Sequence, residues 1–318
     1  MKSRQRNILL ILLIPLILGS IPLSAQHNII YRFHHLHQEM VNPATAGSEF
    51  IPVAALSYQK QWLGINNSPS TLLASTSLRI GNFDFYNPKM MINKSRLKSQ
   101  ERIGLGIGFY ADQNGPLASR GLNMAYAYHL NFSSSSLALG LAGTMEQTVL
   151  NGSSWDPITA GDPLLNDSKE SYYNFNANFG VFYSGAQYFA GFAVNHILPL
   201  DNKADPGEKV KQDYVLHGGY LFWSMQNLKF EPSINLRYLD YEYLQYDIRA
   251  KIYLQHVHWI ALTYRSYKAL ALSAGLKVNR FYIAYQFEAN LSSMISYSAG
   301  SHGISIGINL GMRGLEGF

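Results

Sequence analysis

Along much of the chain, large apolar residues alternate one by one with small or polar ones. The clearest stretch is Ile103-Gly104-Leu105-Gly106-Ile107-Gly108-Phe109-Tyr110, where odd positions are bulky and even ones are Gly until Tyr110. A period of two is that of a β-strand with unlike faces. Leu122, Met124, Tyr126, Tyr128 and Leu130 alternate in the same way with Asn123, Ala125, Ala127 and His129. Leu137, Leu139 and Leu141 oppose Ala138, Gly140 and Ala142, while Tyr173, Phe175, Ala177, Phe179, Val181 and Tyr183 oppose Asn174, Asn176, Asn178 and Gly180. The large faces carry aliphatics in the middle and Tyr or Phe toward the ends. In a soluble sandwich such a face meets a second sheet; in a membrane barrel it meets lipid, with the small or polar face turned to the lumen.

The pattern predicts an all-β chain of about fourteen strands, near 52–60, 70–80, 102–111, 120–131, 137–148, 173–184, 187–196, 213–223, 228–238, 244–254, 257–265, 270–278, 280–287 and 302–311. Most have the length a tilted strand needs to cross a bilayer, and an even count returns both termini to the periplasmic side of an outer-membrane barrel. Connections after the fourth, sixth, eighth, tenth and twelfth strands are short. Those after the first, third, fifth, seventh and thirteenth are long, the asymmetry expected of periplasmic turns and outer loops. One connection breaks the parity: 82–101, with Lys89, Lys94, Arg96 and Lys98, falls where a tight periplasmic turn is expected. It reads either as a disordered basic insertion or as a contact surface for a periplasmic partner. The longest outer loop, 149–172, contains Trp155-Asp156-Pro157 and Gly161-Asp162-Pro163, turn formers that could equally line a contact for a surface partner.

Composition narrows the choice. The 318 residues are 47% hydrophobic but only 14% charged, well below soluble norms, and after the N-terminus no apolar run approaches a membrane helix. A closed β-barrel is the remaining lipid-compatible architecture. With no Cys there is no disulfide framework and no Cys-ligated zinc. Residues 1–25, with Lys2, Arg4 and Arg6 before the apolar run Ile8 to Leu18 and a small-residue end at Ser24-Ala25, read as a cleaved signal peptide. Their removal lowers the formal charge from +5 to +2, and no basic stripe suited to nucleic acid follows. Residues 26–50 read as a periplasmic or plug segment and 51–318 as the barrel.

Candidate chemistry is sparse. His27, His34, His35 and His37 invite a metal reading, but only Glu39 lies near and the spacing fits no recognised site, so a polar plug is preferred. His129, His196, His217 and His302 lie on or at the ends of strands without a G-x-S-x-G elbow, and each reads as a lumen or rim hydrogen-bonding residue. Gly104-x-Gly106-x-Gly108 lies inside a strand and has the wrong spacing for a dinucleotide fingerprint; Asp112 and Gly115-Pro116 after it read as a turn. The chain is therefore expected to be no enzyme and to need no metal or cofactor.

Tyr31-Arg32-Phe33 followed by Asn42-Pro43-Ala44-Thr45-Ala46-Gly47-Ser48, and then Gln61-Trp62-Leu63-Gly64 with Pro69 and Thr71, resemble the opening elements of PorP/SprF-type membrane proteins of the type IX secretion and gliding machinery. Weaker matches follow in order, ending at Ser301-His302. Where the family commonly has Ser-His-Glu-Ile, this chain has Ser301-His302-Gly303-Ile304, and Glu288 stands where Asp is expected. The resemblance implies a barrel in the cell outer membrane whose partners are the lipid bilayer and either periplasmic secretion machinery or a secreted surface adhesin. A solute channel is the alternative. The 82–101 and 149–172 loops are the docking candidates on that reading. Pro43 with Ala44, Ala46 and Gly47 makes a compact turn able to tuck into a barrel mouth. Trp62 is expected in the first outer loop, as an interface anchor or as one member of the aromatic girdle.

Overall fold

A computed structural model describes residues 36–48, 53–80, 102–151, 169–198, 200–202, 212–225, 228–239, 243–254, 258–292 and 296–310. The expected signal peptide, His27, His34 and His35, the basic loop with Lys89, Lys94, Arg96 and Lys98, and Trp155 with Asp156 all lie outside these residues.

The strands are β1 Val53–Lys60, β2 Ser70–Ile80, β3 Ile103–Asn114, β4 Leu117–Asn131, β5 Ser135–Asn151, β6 Lys169–Gly185, β7 Tyr188–Asn195, β8 Leu200–Asn202, β9 Asp213–Tyr220, β10 Phe222–Met225, β11 Leu228–Leu239, β12 Tyr243–Leu254, β13 His258–Arg265, β14 Ala269–Val278, β15 Phe281–Asn290 and β16 Ser301–Asn309. Each pairs antiparallel with its neighbours, and β16 closes the sheet on β1 with Val53 opposite Asn309 and Lys60 opposite His302. Two crossings are interrupted: β8 continues β7 along β6, and β10 continues β9 along β11. The result is a closed barrel of fourteen crossings. The first interruption follows His196, whose φ is +60°. The second lies opposite Pro232, which has no N–H to offer the ladder. Among the described residues only the short strands β8 and β10 are paired on one side alone; the other crossings are paired on both sides, as hydrocarbon requires of a spanning sheet.

Burial assigns the faces. Leu105, Ile107 and Phe109 are exposed while Gly104, Gly106 and Gly108 are enclosed, so the large face of β3 points outward. Outward aliphatics such as Leu141, Ile248, Leu262, Leu272 and Ile306 form the middle of the belt. Aromatics cluster at its ends. Tyr183 and Tyr188 lie 5.7 Å apart and Tyr220 and Phe222 4.5 Å apart at the short-turn end, and Tyr246 and Tyr264 pair at 6.3 Å at the other. Such girdles sit at the two membrane interfaces. Among the described residues no helix is long and apolar enough to cross a membrane.

The strand positions expected from alternation are present, with differences at the long-loop end. The connection after β3 is a two-residue hairpin, Gly115-Pro116, and not a loop of about eight residues. Asp112 belongs to the strand, where its carboxylate accepts a 2.5 Å hydrogen bond from Thr71 Oγ1, and the turn needs only Gly115 at φ +59°. β5 and β6 likewise continue to Asn151 and from Lys169, past the limits expected at 149 and 172. Paired polar side chains extend both ladders past the apolar belt, where periodicity of hydrophobic residues gives no signal. Gln147 Nε2, for example, donates to Ser171 Oγ at 3.0 Å.

Candidate functional site

The lumen is built from small and polar residues, and residues 36–48 lie within it. Their short helix α1, Gln38–Val41, and a 3₁₀ turn, Pro43–Thr45, are joined by Asn42, which is fully buried. Asn42 organises the turn: its Oδ1 accepts from Ala44 N at 3.0 Å, and its carbonyl accepts from Thr45 Oγ1 at 2.8 Å. The same side chain holds the wall, Nδ2 donating to Val181 O at 3.1 Å and lying 3.0 Å from His217 Nε2. Pro43 sets the turn, as proline at the first helical position does. Gly47 ends it at φ +66°, where its N–H donates to Ser77 Oγ at 2.6 Å.

The glycine run of β3 and the small residues of β5 and β6 have their explanation here. A Cβ at Gly104 would collide with the Ala46 carbonyl, one at Gly140 with the Pro43–Ala44 backbone, and one at Gly180 with the Asn42 side chain. Four apolar contacts repeat the theme, each joining one residue of the segment to inward residues of the wall. Met40 packs with Leu73 and Tyr110, Val41 with Ala193 and Val215, Ala44 with Ala138 and Phe182, and Ala46 with Ala125, Ala127 and Ala142.

Histidines complete the seating. His129 Nε2 donates to the Ala46 carbonyl at 2.8 Å, and Asn195 Nδ2 reaches the Val41 carbonyl at 3.4 Å. His37 lies between Ser75 Oγ, 2.7 Å from Nδ1, and Ser57 Oγ, 2.8 Å from Nε2, with Ser305 Oγ 2.7 Å beyond. Burial holds the His37 imidazole down at about 4, against an ordinary 6.5. The folded chain therefore favours the neutral ring. This contribution is complete above pH 6.5 and is lost as pH falls toward 4, by roughly 1.4 kcal/mol per pH unit inside that window. Unfolding midpoints measured across this range in detergent will fall less steeply for His37→Gln than for the parent chain.

Across the lumen, β9 to β15 carry buried charge. Arg237 Nη2 is 2.7 Å from Asp213 Oδ2, with His196 Nδ1 3.7 Å from the same oxygen. Arg265, only 1% exposed, lies 3.5 Å from Asp247 and 3.1 Å from Glu288. Ala269 and Ala271 on the intervening β14 are small enough to let its side chain reach β15. None of these ion pairs is visible as a local motif.

The second pair of motif elements meets at the long-loop rim. Gln61 is buried, Trp62 adopts φ +47°, and Trp62 N–H donates to Ser301 Oγ at 3.3 Å. Leu63 exchanges backbone hydrogen bonds with Gly300 and Ala299, both at 2.8 Å, and Gly64 turns the loop at φ +100°. His302 lies against Tyr285 and Phe287, its Nδ1 2.6 Å from the Tyr285 hydroxyl. Gly303 faces inward between Gln59 and Gln286, so this chain has no carboxylate at that position. Trp62 is thus tied into the rim by its own bond to Ser301 and by the backbone bonds of Leu63 to Ala299 and Gly300.

Among curated proteins none matches the sequence. Solved barrels with similar shape include the toluene transporter TbuX of Ralstonia pickettii, with TM-score 0.48 and 10% identity over 86% of this chain and 91% of that one. A FadL homologue of Pseudomonas aeruginosa gives 0.44 and 10% over 84% and 92%. Outer membrane phospholipase A of Escherichia coli gives 0.36 and 9% over 82% and 93%. The model of the type IX secretion system membrane protein PorP/SprF matches residues 24–308, which takes in both motif pairs and all fourteen crossings. The chain, a barrel of the cell outer membrane, belongs to the PorP/SprF family of type IX secretion system membrane proteins.

Proposed function

We propose that this chain is a non-enzymatic anchor of the type IX secretion and gliding machinery, docking periplasmic components or securing a secreted adhesin at the cell surface. The observation that carries the reading is the seated segment 36–48. A barrel whose lumen is occupied by its own chain, with Asn42, Ala44 and Ala46 fully buried against the wall, is suited to present its two ends to partners more than to pass a solute. Family membership supports the machinery as the setting. The basic residues Lys89, Lys94, Arg96 and Lys98 are the periplasmic docking candidates, and the loop with Trp155 and Asp156 the surface one.

Three measurements test this. Purified protein in planar bilayers will give no steady conductance; a steady open pore overturns the anchor in favour of a solute channel. Deleting 152–168, a span chosen to leave β5 and β6 whole, will abolish surface retention of a cognate secreted protein while the barrel still folds. Unchanged export and display would remove the surface assignment. His129 and His217 contact the seated segment, so a barrel enzyme is tested at His196 and His302: full function of the His196→Asn/His302→Asn protein excludes them as catalysts.

A further inference from the structure

The seated segment does not fill the whole lumen. Between it and the inward faces of β6, β9, β11 and β12 lies a cavity of ≈ 330 Å³, which reaches the short-turn rim at Ala186, Gln187 and Leu221. This is at the lower end of the size of ligand sites. Its two sides differ. One is aromatic: Phe182 stacks on His217 with ring centroids 5.7 Å apart, and Phe189 lies 6.3 Å from both. The other is a ladder of inward polar residues in register across two strands, Glu231 opposite Lys251 and Asn235 opposite Asp247, with Arg249 between.

Asn235 is the telling member. It is 7% exposed and lines the cavity, yet its Oδ1 is buried without a hydrogen-bond partner. A buried amide acceptor left unpaired costs roughly 1–3 kcal/mol, which a rotation of the side chain toward a donor in the cavity would recover. The charges around it, two carboxylates and two cations, cancel, so the wall offers no net field for a phosphate or other compact anion. What they offer is alternating donors and acceptors along an extended line, beside an aromatic slot.

From this we infer that the cavity binds a short extended peptide segment of a periplasmic protein, its backbone amides on the Asn235–Asp247 ladder and one apolar or aromatic side chain against Phe182 and Phe189. The inference rests on the proposed orientation, with the short turns in the periplasm, and adds to it a site within the lumen separate from the basic loop.

The test uses the full mature chain in detergent micelles, titrated calorimetrically with acetylated tetrapeptide amides that vary in their second residue. Saturable binding is expected, strongest with Phe or Leu at that residue, and weakened about tenfold or more by Asn235→Leu. Asn235→Gln, which keeps the amide, should restore part of it, and the unfolding midpoint shows that each variant is folded. Absence of saturable binding, equal binding to the Asn235→Leu protein, or binding of chitotriose in place of the peptides overturns the proposal. Because the readout is made on purified protein, it is independent of whether loop deletion affects export, so the two readings fail separately.

Discussion

Gly140→Val will unseat the N-terminal segment while leaving the barrel intact. The Cβ at this position meets the backbone of Pro43 and Ala44, and not the end of a side chain that could swing aside. That backbone is itself pinned, by the Asn42 Oδ1 bond to Ala44 N and by Asn42 Nδ2 on the β6 carbonyl. Overpacking into a yielding core costs about 1–3 kcal/mol, and a pinned turn places this site at the upper end of that range or beyond it. The strand ladder does not share the cost, since valine favours extended backbone and the outward neighbours Leu139 and Leu141 are unchanged. The expected result is a folded, heat-modifiable barrel that conducts steadily in planar bilayers and is cut by protease within 36–48. Gly143→Val, on the same strand but with nothing near its Cβ, provides the control and should behave as the parent chain. If the Gly140→Val protein is equally silent and equally protected, the segment does not close the lumen.

The second large effect is on stability. Arg265→Leu will cost about 3–5 kcal/mol, because it leaves the Asp247 and Glu288 carboxylates on the lumen wall without their cation. The triple change Arg265→Leu/Asp247→Asn/Glu288→Gln removes the charges together and should recover most of the loss. Urea midpoints of the folded barrel in micelles measure both. Equal destabilisation by the single and triple changes would mean that packing of Arg265 against Tyr267, 5.9 Å from its guanidinium, matters more than charge.

Much of the barrel is legible in the sequence because lipid imposes a local rule. Each crossing must be apolar outward at every second residue and must end in aromatics, and β3, β4, β5 and β6 each announce this within a dozen residues. The rule lapses past the membrane, which is why β3 and β5 run further than their hydrophobic pattern and why Asp112 sits in a strand and not in a turn. The site is less legible. Asn42-Pro43-Ala44 stands out as a compact turn, but nothing local says that Gly104, Gly140 and Gly180 are its seat, or that His217 would meet Asn42 across 175 residues of chain. Gln61-Trp62 and Ser301-His302 are recognisable separately; that they form one rim follows from the pairing of the first strand with the last.

The sequence by itself thus determined which face of each strand meets lipid and how many strands there are, since both follow from a period of two read over short distances. Only the tertiary structure decided what occupies the lumen. Closing β16 on β1 makes every inward residue a neighbour of residues from distant strands. In that enclosed space a missing Cβ becomes a seat for the chain's own N-terminal turn, an alanine on β14 becomes a passage for Arg265, and Asn235 is left with an acceptor that no residue of the wall satisfies.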